Sequence, residues 1–132
     1  MKTAELTGAI LDFWVARAEG IPAEQLEIRT VPRTELRIVV RKRLDVAPRA
    51  GAALEVLNYS QNWLQGGPLI EKHHLLLESD MGQKWQASVL LHHSDGNPYW
   101  GFYEAPTVLI AVCRAVVRAA FGDEVEDLPC AG

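Results

Sequence analysis

The chain has 132 residues, of which 48% are hydrophobic and 23% charged, with a formal net charge of -4. This composition is typical of an average globular protein and excludes fibrous and intrinsically disordered classes. A domain of this size buries roughly two-thirds of its unfolded surface without needing a disulfide or a metal. We therefore expect one soluble domain that spans residues 1–132.

The location of the protein is predicted from its apolar segments. The longest uncharged apolar run covers residues 105–113, which is far short of the ~20 residues of a membrane-spanning helix. The N-terminus begins polar and lacks the apolar stretch of a signal peptide. We expect a cytoplasmic protein that does not bind membranes.

The first predicted element is an N-terminal helix. Thr3 is a suitable N-cap, apolar residues recur at helical spacing from Leu6 to Trp14, and Gly20 is placed to end the helix. Gly8 lowers the helix propensity by about 1 kcal/mol relative to alanine, which indicates that a neighbour packs closely over it. We expect Trp14 to lie in the core.

Two short strands are predicted next. Residues 27–31 alternate well enough for a strand that ends at Pro32. In residues 36–41 apolar side chains alternate with Arg37 and Arg41, which a half-buried strand would turn towards solvent.

The second strand belongs to a basic segment. Between residues 29 and 49 there are seven basic and two acidic side chains. One interpretation is a nucleic-acid-binding strand that uses Arg37, Arg41 and Arg43. The other, which we favour, is a solvated strand face whose charge is balanced in space by the acidic run 123–127.

The stretch from residue 58 to residue 71 interrupts the alternating patterns. It combines side-chain amides, a tryptophan, two adjacent glycines and a proline, which indicates a loop with a closely specified backbone. Such a loop presents hydrogen-bonding groups to an uncharged ligand or a peptide edge. The predicted binding residues are Asn62, Trp63, Gln65, Gly66, Gly67, Pro68 and Glu71.

A structural interpretation of the same loop stays open, in which the amides cap their own loop and Trp63 fills the core. The two interpretations differ at Gln65. Three amides lie within five positions, at Gln61, Asn62 and Gln65, which is more than the loop needs for its own caps. We therefore expect the side chain of Gln65 to be exposed and to bind a partner.

A β-hairpin is predicted after this loop. Its strands cover residues 69–77 and 85–91, and its turn is the segment 80–82 with glycine in the left-handed position. In the expected register Leu77 lies opposite Trp85, and the hairpin has one apolar face. We expect Trp85 to lie in the core.

Two further segments fit more than one structure. Residues 53–57 fit a short strand or a helical turn. The aromatic run 99–103 follows a turn at residues 95–98 and fits an edge strand or a packed loop. We expect four or five strands in total.

The last element is a largely buried helix over residues 108–121. Thr107 can cap its start, and Gly122 stands where a C-terminal glycine belongs. Apolar residues cover most of its circumference, while Arg114 and Arg118 mark a polar stripe. The predicted fold class is therefore α+β, with a small, mostly antiparallel sheet packed against the N-terminal and C-terminal helices.

Two histidine pairs, His73-His74 and His92-His93, suggest a metal site, but strand geometry argues against it. Neighbours on a strand point to opposite faces, so each pair offers one ligand to either side. In the expected register His73 lies opposite Val89, roughly 13 Å from His93, whereas two ligands of one ion lie within ~4 Å of each other. We expect no metal and no cofactor.

No catalytic motif is present in the sequence. It has no zinc-protease signature, no nucleophilic triad order and no phosphate-binding loop around the two glycines. Cys113 and Cys130 make no zinc or redox spacing. Four carboxylates could act as acid and base, but the sequence does not bring them together; they are Asp12, Glu71, Glu78 and Glu104. An enzyme is possible but has no support.

One string is specific enough to be compared with known families. It reads Trp63-Leu64-Gln65-Gly66-Gly67-Pro68-Leu69-Ile70-Glu71, and it is accompanied by residues 2–8, 11–12, 19–20, 85–87, 106–111 and 121–125. In this order and spacing the segments resemble the NinX-like family of phage proteins. Family members often have aspartate where this chain has Asn62 and proline where it has Val108. The first change removes a charge, which argues against an acidic role for that position.

The resemblance implies a small cytoplasmic protein of temperate phages or prophages, encoded near genes of DNA metabolism and without an established activity. Our leading hypothesis is a non-enzymatic accessory protein that binds a phage or host protein, or a small ligand, through residues 63–71. The first alternative is a nucleic-acid-binding protein that uses the basic strand, and the second is an uncharacterised enzyme. Self-association into a homo-oligomer is also possible.

Overall fold

The computed structural model describes residues 1–42, 54–80 and 82–128. Over these residues the chain forms three α-helices and six β-strands, which confirms the predicted α+β class. The helices are α1 (Gly8–Ala18), α2 (Trp63–Lys72) and α3 (Val108–Phe121). The strands are β1 (Leu26–Thr30), β2 (Arg37–Lys42), β3 (Leu54–Leu57), β4 (Leu76–Asp80), β5 (Lys84–His92) and β6 (Pro98–Ala105). None of these helices is long and apolar enough to cross a membrane.

The strands form two antiparallel sheets rather than one. The first sheet has the order β1-β2-β3, and the second has the order β4-β5-β6. Helix α3 packs on β5 and β6, while α1 contacts both α3 and the strands of the first sheet. The two sheets are separated in the chain by helix α2, which follows β3 where the sequence predicts a loop.

Two groups of buried apolar side chains follow this division. The larger group joins α1, α3 and the inner face of the second sheet, and Trp14 is buried in it as expected. The smaller group joins α1 to the first sheet and includes Leu26 and Val39. Phe13 and Tyr59 pack against both groups, so the two parts of the core are in contact.

Helix α1 begins later than the sequence predicts. Thr3 belongs to a short 3₁₀ turn, and its buried hydroxyl donates to the carbonyl of Gly122 at 2.7 Å. The helix starts at Gly8, where φ is +59° and no atom of the described residues lies within 4 Å of a Cβ added to the backbone. The described residues therefore do not supply the neighbour expected over Gly8, and glycine is favoured there by the left-handed backbone that enters the helix.

The end of helix α1 agrees with the sequence. The N–H group of Gly20, whose φ is +93°, donates to the carbonyl of Arg17 at 3.1 Å. The N–H group of Ile21 donates to the carbonyl of Ala16 at 3.1 Å. This pair of bonds is the Schellman arrangement, which satisfies carbonyls left free at a helix end.

Helix α2 is the largest departure from the predicted structure. The sequence predicts a loop over residues 58–71, whereas the structure has a helix over Trp63–Lys72. Two glycines and Pro68 give this segment a low helix propensity, which explains the prediction. The helix forms because Asn62 caps its first turn, accepting from the N–H group of Leu64 at 3.0 Å, and because the core buries one side of it.

The hairpin of β4 and β5 forms in a different register from the predicted one. β4 begins only at Leu76, because the first residues of the predicted strand are helical. Leu77 pairs with Ala87, and Trp85 pairs with Ser79. The turn lies one residue further along the chain than predicted, so the residue opposite each strand position changes by two. Because the change is even, the same face of the hairpin stays inward. Trp85 is 39% exposed, and its predicted place in the core is wrong.

The other strands agree with the sequence. Both strands predicted before residue 42 are present, and the ambiguous segment 53–57 contains β3. The aromatic run 99–103 lies in β6, which is an edge strand of the second sheet. In β2 the adjacent residues Val39 and Val40 are both buried, so both faces of this strand are covered at these positions.

Helix α3 has the predicted bounds, with Thr107 capping its first turn and Gly122 at its end with φ of +89°. Arg114 departs from the prediction, because it is buried rather than part of an exposed stripe. Its Nε donates to the carbonyl of Leu6 at 3.0 Å, and its Nη1 donates to the carbonyl of Glu104 at 2.8 Å. This side chain joins the N-terminal segment, β6 and α3.

Candidate functional site

Helix α2 carries the predicted binding residues, and its start is fixed by amide side chains. The Oε1 atom of Gln65 accepts from the backbone N–H group of Asn58 at 2.7 Å, and its Nε2 donates to the carbonyl of Val56 at 2.9 Å. The Nδ2 atom of Asn62 lies 3.3 Å from Oδ1 of Asn58 and donates to it. Gln65 therefore binds the backbone between β3 and α2, and the expectation of a free Gln65 side chain is wrong.

The inner side of α2 is packed closely against the chain that precedes it. A Cβ added to Gly66 would overlap the carbonyl oxygen of Tyr59 and lie 2.9 Å from Cδ2 of Leu109. Leu69, on the same side, is buried. Burial raises the pKa of Tyr59 to about 12. Glycine at position 66 allows helix α2 to approach the core.

The opposite side of α2 is exposed and begins with two large apolar side chains. Trp63 is 57% exposed and Leu64 is 85% exposed. Trp63 does not fill the core, so that part of the structural interpretation is wrong. Pro68 and Glu71 are exposed further along the same side of the helix. We call Trp63, Leu64, Pro68 and Glu71 the outer face of α2.

The predicted binding residues thus divide into two groups. Asn62, Gln65 and Gly66 hold the helix in place, while Trp63, Pro68 and Glu71 are exposed. Gly67 lies beside the tryptophan ring, since an added Cβ would be 3.5 Å from its Cε3 atom. The sequence prediction omitted Leu64, which lies four residues before Pro68; this helical spacing would have identified it once the segment was recognised as a helix.

The end of α2 is held by a carboxylate of helix α1. The Oε2 atom of Glu19 lies 3.0 Å from Nζ of Lys72 and 3.3 Å from Nε2 of His73. Glu71 points to solvent and has no ion pair with any residue that the structure describes. The helix is therefore anchored at both ends, and one acidic side chain on its outer face stays available.

The histidine pairs lie at the ends of different elements. His73 ends helix α2, His74 follows it with φ of +52°, and His92 is the last residue of β5. The ring of His93 stacks on Tyr99 with 4.1 Å between ring centroids. Within residues 1–42, 54–80 and 82–128, no group of three or more histidine, cysteine, aspartate and glutamate residues could hold a metal ion.

A cavity beside helix α1 contains a buried carboxylate, and a larger one lies nearby. The larger cavity, of about 690 Å³, lies between α1, β1 and the C-terminal segment. The smaller, of about 360 Å³, is lined by Asp12, Arg37, Asn58 and Gln61. Asp12 is 4% exposed, and its Oδ1 accepts from the backbone N–H group of Ser60 at 2.8 Å. Burial raises the pKa of Asp12, although the hydrogen bond from Ser60 opposes this change.

The four carboxylates considered as acid and base do not converge. Glu78 and Glu104 both pair with Gln86, so they lie two strands apart, about 10 Å, on one sheet. Glu71 is exposed on α2, and Asp12 is buried in α1. None of the four is therefore within hydrogen-bonding reach of another through the contacts described.

The two cysteines do not form a site in the described structure either. Cys113 is buried in α3, and burial raises the pKa of its thiol, which makes it unreactive. Cys130 lies outside the described residues.

The arginines of the basic strand have different surroundings. Arg37 is exposed at the edge of the smaller cavity, whereas Arg41 is half-buried and its Nε donates to Oε1 of Gln25 at 3.3 Å. Arg43 lies outside the described residues. The structure therefore does not show the three arginines as one surface.

A carboxylate on the neighbouring strand neutralises part of the positive charge of this segment. Glu27 lies 2.9 Å from the guanidinium of Arg29 and 3.2 Å from Nζ of Lys42. Hydrogen bonding to Arg29, with a further contribution from Lys42, lowers the pKa of Glu27. The acidic run 123–127 makes different contacts in the described structure, since its ion pairs join Asp123 to Arg118 and Asp127 to the N-terminal amine.

Comparison with known proteins identifies the family of the chain. A family model described as "Bacteriophage P22, NinX" matches residues 2–119, a range that includes both sheets, helix α2 and nearly all of α3. A search of curated proteins finds no match. Because the family model covers most of the sequence, the resemblance seen in the string from Trp63 to Glu71 is confirmed, and the chain belongs to the NinX family of phage proteins.

Proposed function

We propose that this phage protein is a non-enzymatic accessory protein that binds a protein partner through the outer face of α2. The observation that carries the proposal is the pair of adjacent apolar side chains, Trp63 and Leu64, which are 57% and 85% exposed. Single exposed apolar residues are normal on protein surfaces. A tryptophan beside a leucine on an anchored helix instead fits the buried anchors of protein interfaces, where tryptophan is enriched.

The anchoring of α2 supports the same function. Gln65 binds the backbone of β3 and of the following turn, and Glu19 holds the other end of the helix. The helix is therefore already in place before a partner arrives. Preorganised anchors bind more tightly because less conformational entropy is lost on association.

The chemistry of the outer face defines the partner. An apolar pocket on the partner would receive Trp63 and Leu64, and a basic side chain would reach Glu71, which lies about 10 Å along the helix from Leu64. A small ligand suits this surface less well, since the outer face belongs to a convex helix and small ligands bind in concave sites.

The experiment begins with capture of partners from phage-infected cells by the tagged protein, followed by affinity measurements with each purified partner. Leu64→Glu should raise Kd about 30-fold or more, as expected for loss of an interface anchor. Leu36→Glu is the matched control, because Leu36 is also exposed but lies near the start of β2. Equal binding by Leu64→Glu and the wild type would refute the proposal.

Nucleic-acid binding by Arg37, Arg41 and Arg43 has weaker support, because Arg41 and the neighbouring basic residues have partners within the chain. Retention on immobilised DNA would test it. Binding that falls steeply with salt and is reduced by Arg37→Gln would favour this second function.

A further inference from the structure

The outward face of the second sheet carries a contiguous apolar patch. Leu76 and Phe102 both pair with Ser88, and Leu90 pairs with Trp100. We call the four large apolar residues the sheet patch; their exposed fractions run from 46% at Leu90 to 58% at Phe102. Ser88, between them, is only 8% exposed, so the larger side chains close around it. Sheet faces that meet water normally carry polar residues at such positions.

The sheet patch lies on the side of the second sheet that faces away from the core and from α3, the helix on which α2 packs. On the inward face of β5, Ala87 and Val89 are buried in the group of side chains around α3. Alternation along the strand therefore places Ser88 and Leu90 on the opposite side. In the described part of the chain, this side stays open to solvent.

We propose that the sheet patch is the interface of a homodimer in which the second sheets of two copies pack face to face. Two sheets pack about 10 Å apart when each brings an apolar face, and a second copy brings an identical one. Two aromatic and two leucine side chains, each about half exposed, offer on the order of 400 Å² of apolar surface. This is about half of the ~800 Å² that each partner buries in a stable interface, and the polar residues around the patch supply the rim.

Charge distinguishes two aligned arrangements, which differ in whether the two-fold axis in the interface lies along the strands or across them. Glu78 and Glu104 lie on the outward face, on either side of Gln86. An axis parallel to the strands would place Glu78 of each copy over Glu104 of the other copy, so that two pairs of carboxylates would face each other. An axis perpendicular to the strands, through the middle of the patch, separates these carboxylates and places Gln86 over His92 of the second copy.

The perpendicular axis also fits the sizes of the side chains. It places Ser88 over Leu90 of the second copy, so that a large side chain faces a small one. It places Phe102 over Trp100 of the second copy, which forms an aromatic pair on each side of the axis. The face is therefore self-complementary in size as well as in charge.

Sedimentation equilibrium of the full chain tests the dimer. The wild type should have twice the monomer mass of 14.6 kDa. Leu90→Glu should raise the dimer Kd about 100-fold or more. Leu64→Glu is the matched control and should leave the dimer intact, which separates this interface from the surface proposed for the protein partner. Phe102→Gln, at the most exposed position of the patch, has the same expected result if Leu90→Glu does not fold.

Two outcomes would overturn the dimer. One is a wild-type protein that stays monomeric at concentrations up to about 100 µM. The other is a dimer whose Kd is unchanged in folded Leu90→Glu and Phe102→Gln variants. Failure of partner binding by Leu64→Glu has no bearing on either result, so the two proposals stand or fall separately.

Chemical cross-linking tests the orientation in a Cys130→Ser background. Gln86→Cys and His92→Cys proteins, mixed and treated with a bismaleimide that spans about 10 Å, should cross-link to each other. Gln86→Cys alone should not cross-link, because its two copies would lie about 20 Å apart. Efficient cross-linking of Gln86→Cys to itself would overturn the perpendicular arrangement.

Discussion

Arg114 of helix α3 donates a hydrogen bond from Nε to the backbone carbonyl of Leu6, at 3.0 Å. A second bond reaches the carbonyl of Glu104 at 2.8 Å, and the side chain is buried. Arg114→Met keeps much of the side-chain length but leaves both carbonyls without this donor. We expect urea denaturation to show a loss of about 2 to 4 kcal/mol. Arg37→Met, at an exposed position, should change stability by less than about 0.5 kcal/mol, and a similarly small change at Arg114 would contradict the assigned role.

Gln65→Ala tests whether the amide supports the backbone. The substitution removes the acceptor of the Asn58 N–H group and the donor to the Val56 carbonyl, so we expect a loss of about 1 to 3 kcal/mol. Gln61→Ala is the control, because the side chain of Gln61 is exposed in the same segment. Thermal denaturation of the two variants gives the comparison; equal melting temperatures would show that the Gln65 contacts contribute nothing.

The adjacent glycines of α2 should respond to alanine with opposite signs. At Gly66 the added methyl group overlaps the carbonyl oxygen of Tyr59, so Gly66→Ala should destabilise the protein by about 1 to 3 kcal/mol. At Gly67 the nearest atom is the Trp63 ring at 3.5 Å, and Gly67→Ala should stabilise by up to about 1 kcal/mol. Denaturation of both variants in urea measures the two effects. Stabilisation by Gly66→Ala would show that α2 does not pack as described.

Asp12 should make stability depend on pH. Its pKa is raised in the folded protein by burial, so the folded state binds a proton more tightly than the unfolded state, whose ordinary value is 3.8. The stability that this protonation contributes is present below pH 3.8 and is lost as pH rises through the folded pKa. The Asp12→Asn variant lacks this contribution.

The difference in unfolding free energy between wild type and Asp12→Asn isolates the effect, because the other titrating groups are common to both proteins. We expect wild type to lose stability relative to the variant as pH rises from 4 towards neutrality. A difference that is constant over this range, or that changes in the opposite direction, would mean that the pKa of Asp12 is not raised.

Helices α1 and α3 could be predicted because their signals are local. Gly20 and Gly122 mark ends that depend on the backbone at those residues, and Thr107 caps the residues that follow it. Helix α2 could not be predicted in this way. Its glycines and proline disfavour a helix, and part of its support comes from Gln65 binding to β3.

The hairpin register and the contacts of Arg114 show a second limit of prediction from the sequence. A change of two positions in strand pairing keeps the same side chains inward, so the apolar pattern could not distinguish Leu77 opposite Ala87 from Leu77 opposite Trp85. For Arg114, the partners lie at residues 6 and 104, and nothing near the arginine in sequence indicates them. The candidate site was located by its residue types, but only the structure separates its exposed side chains from its supporting ones.

The bond between Arg114 and Leu6 also has a consequence for synthesis. The N-terminal segment cannot complete its native contacts until the residues around position 114 have left the ribosome, which follows by about 5 to 20 seconds at ordinary rates of translation. During this interval the apolar side of α1 lacks helix α3, against which it packs in the folded protein. The first helix is therefore a candidate for chaperone binding while the chain is being made, although it lies in the core once folding is complete.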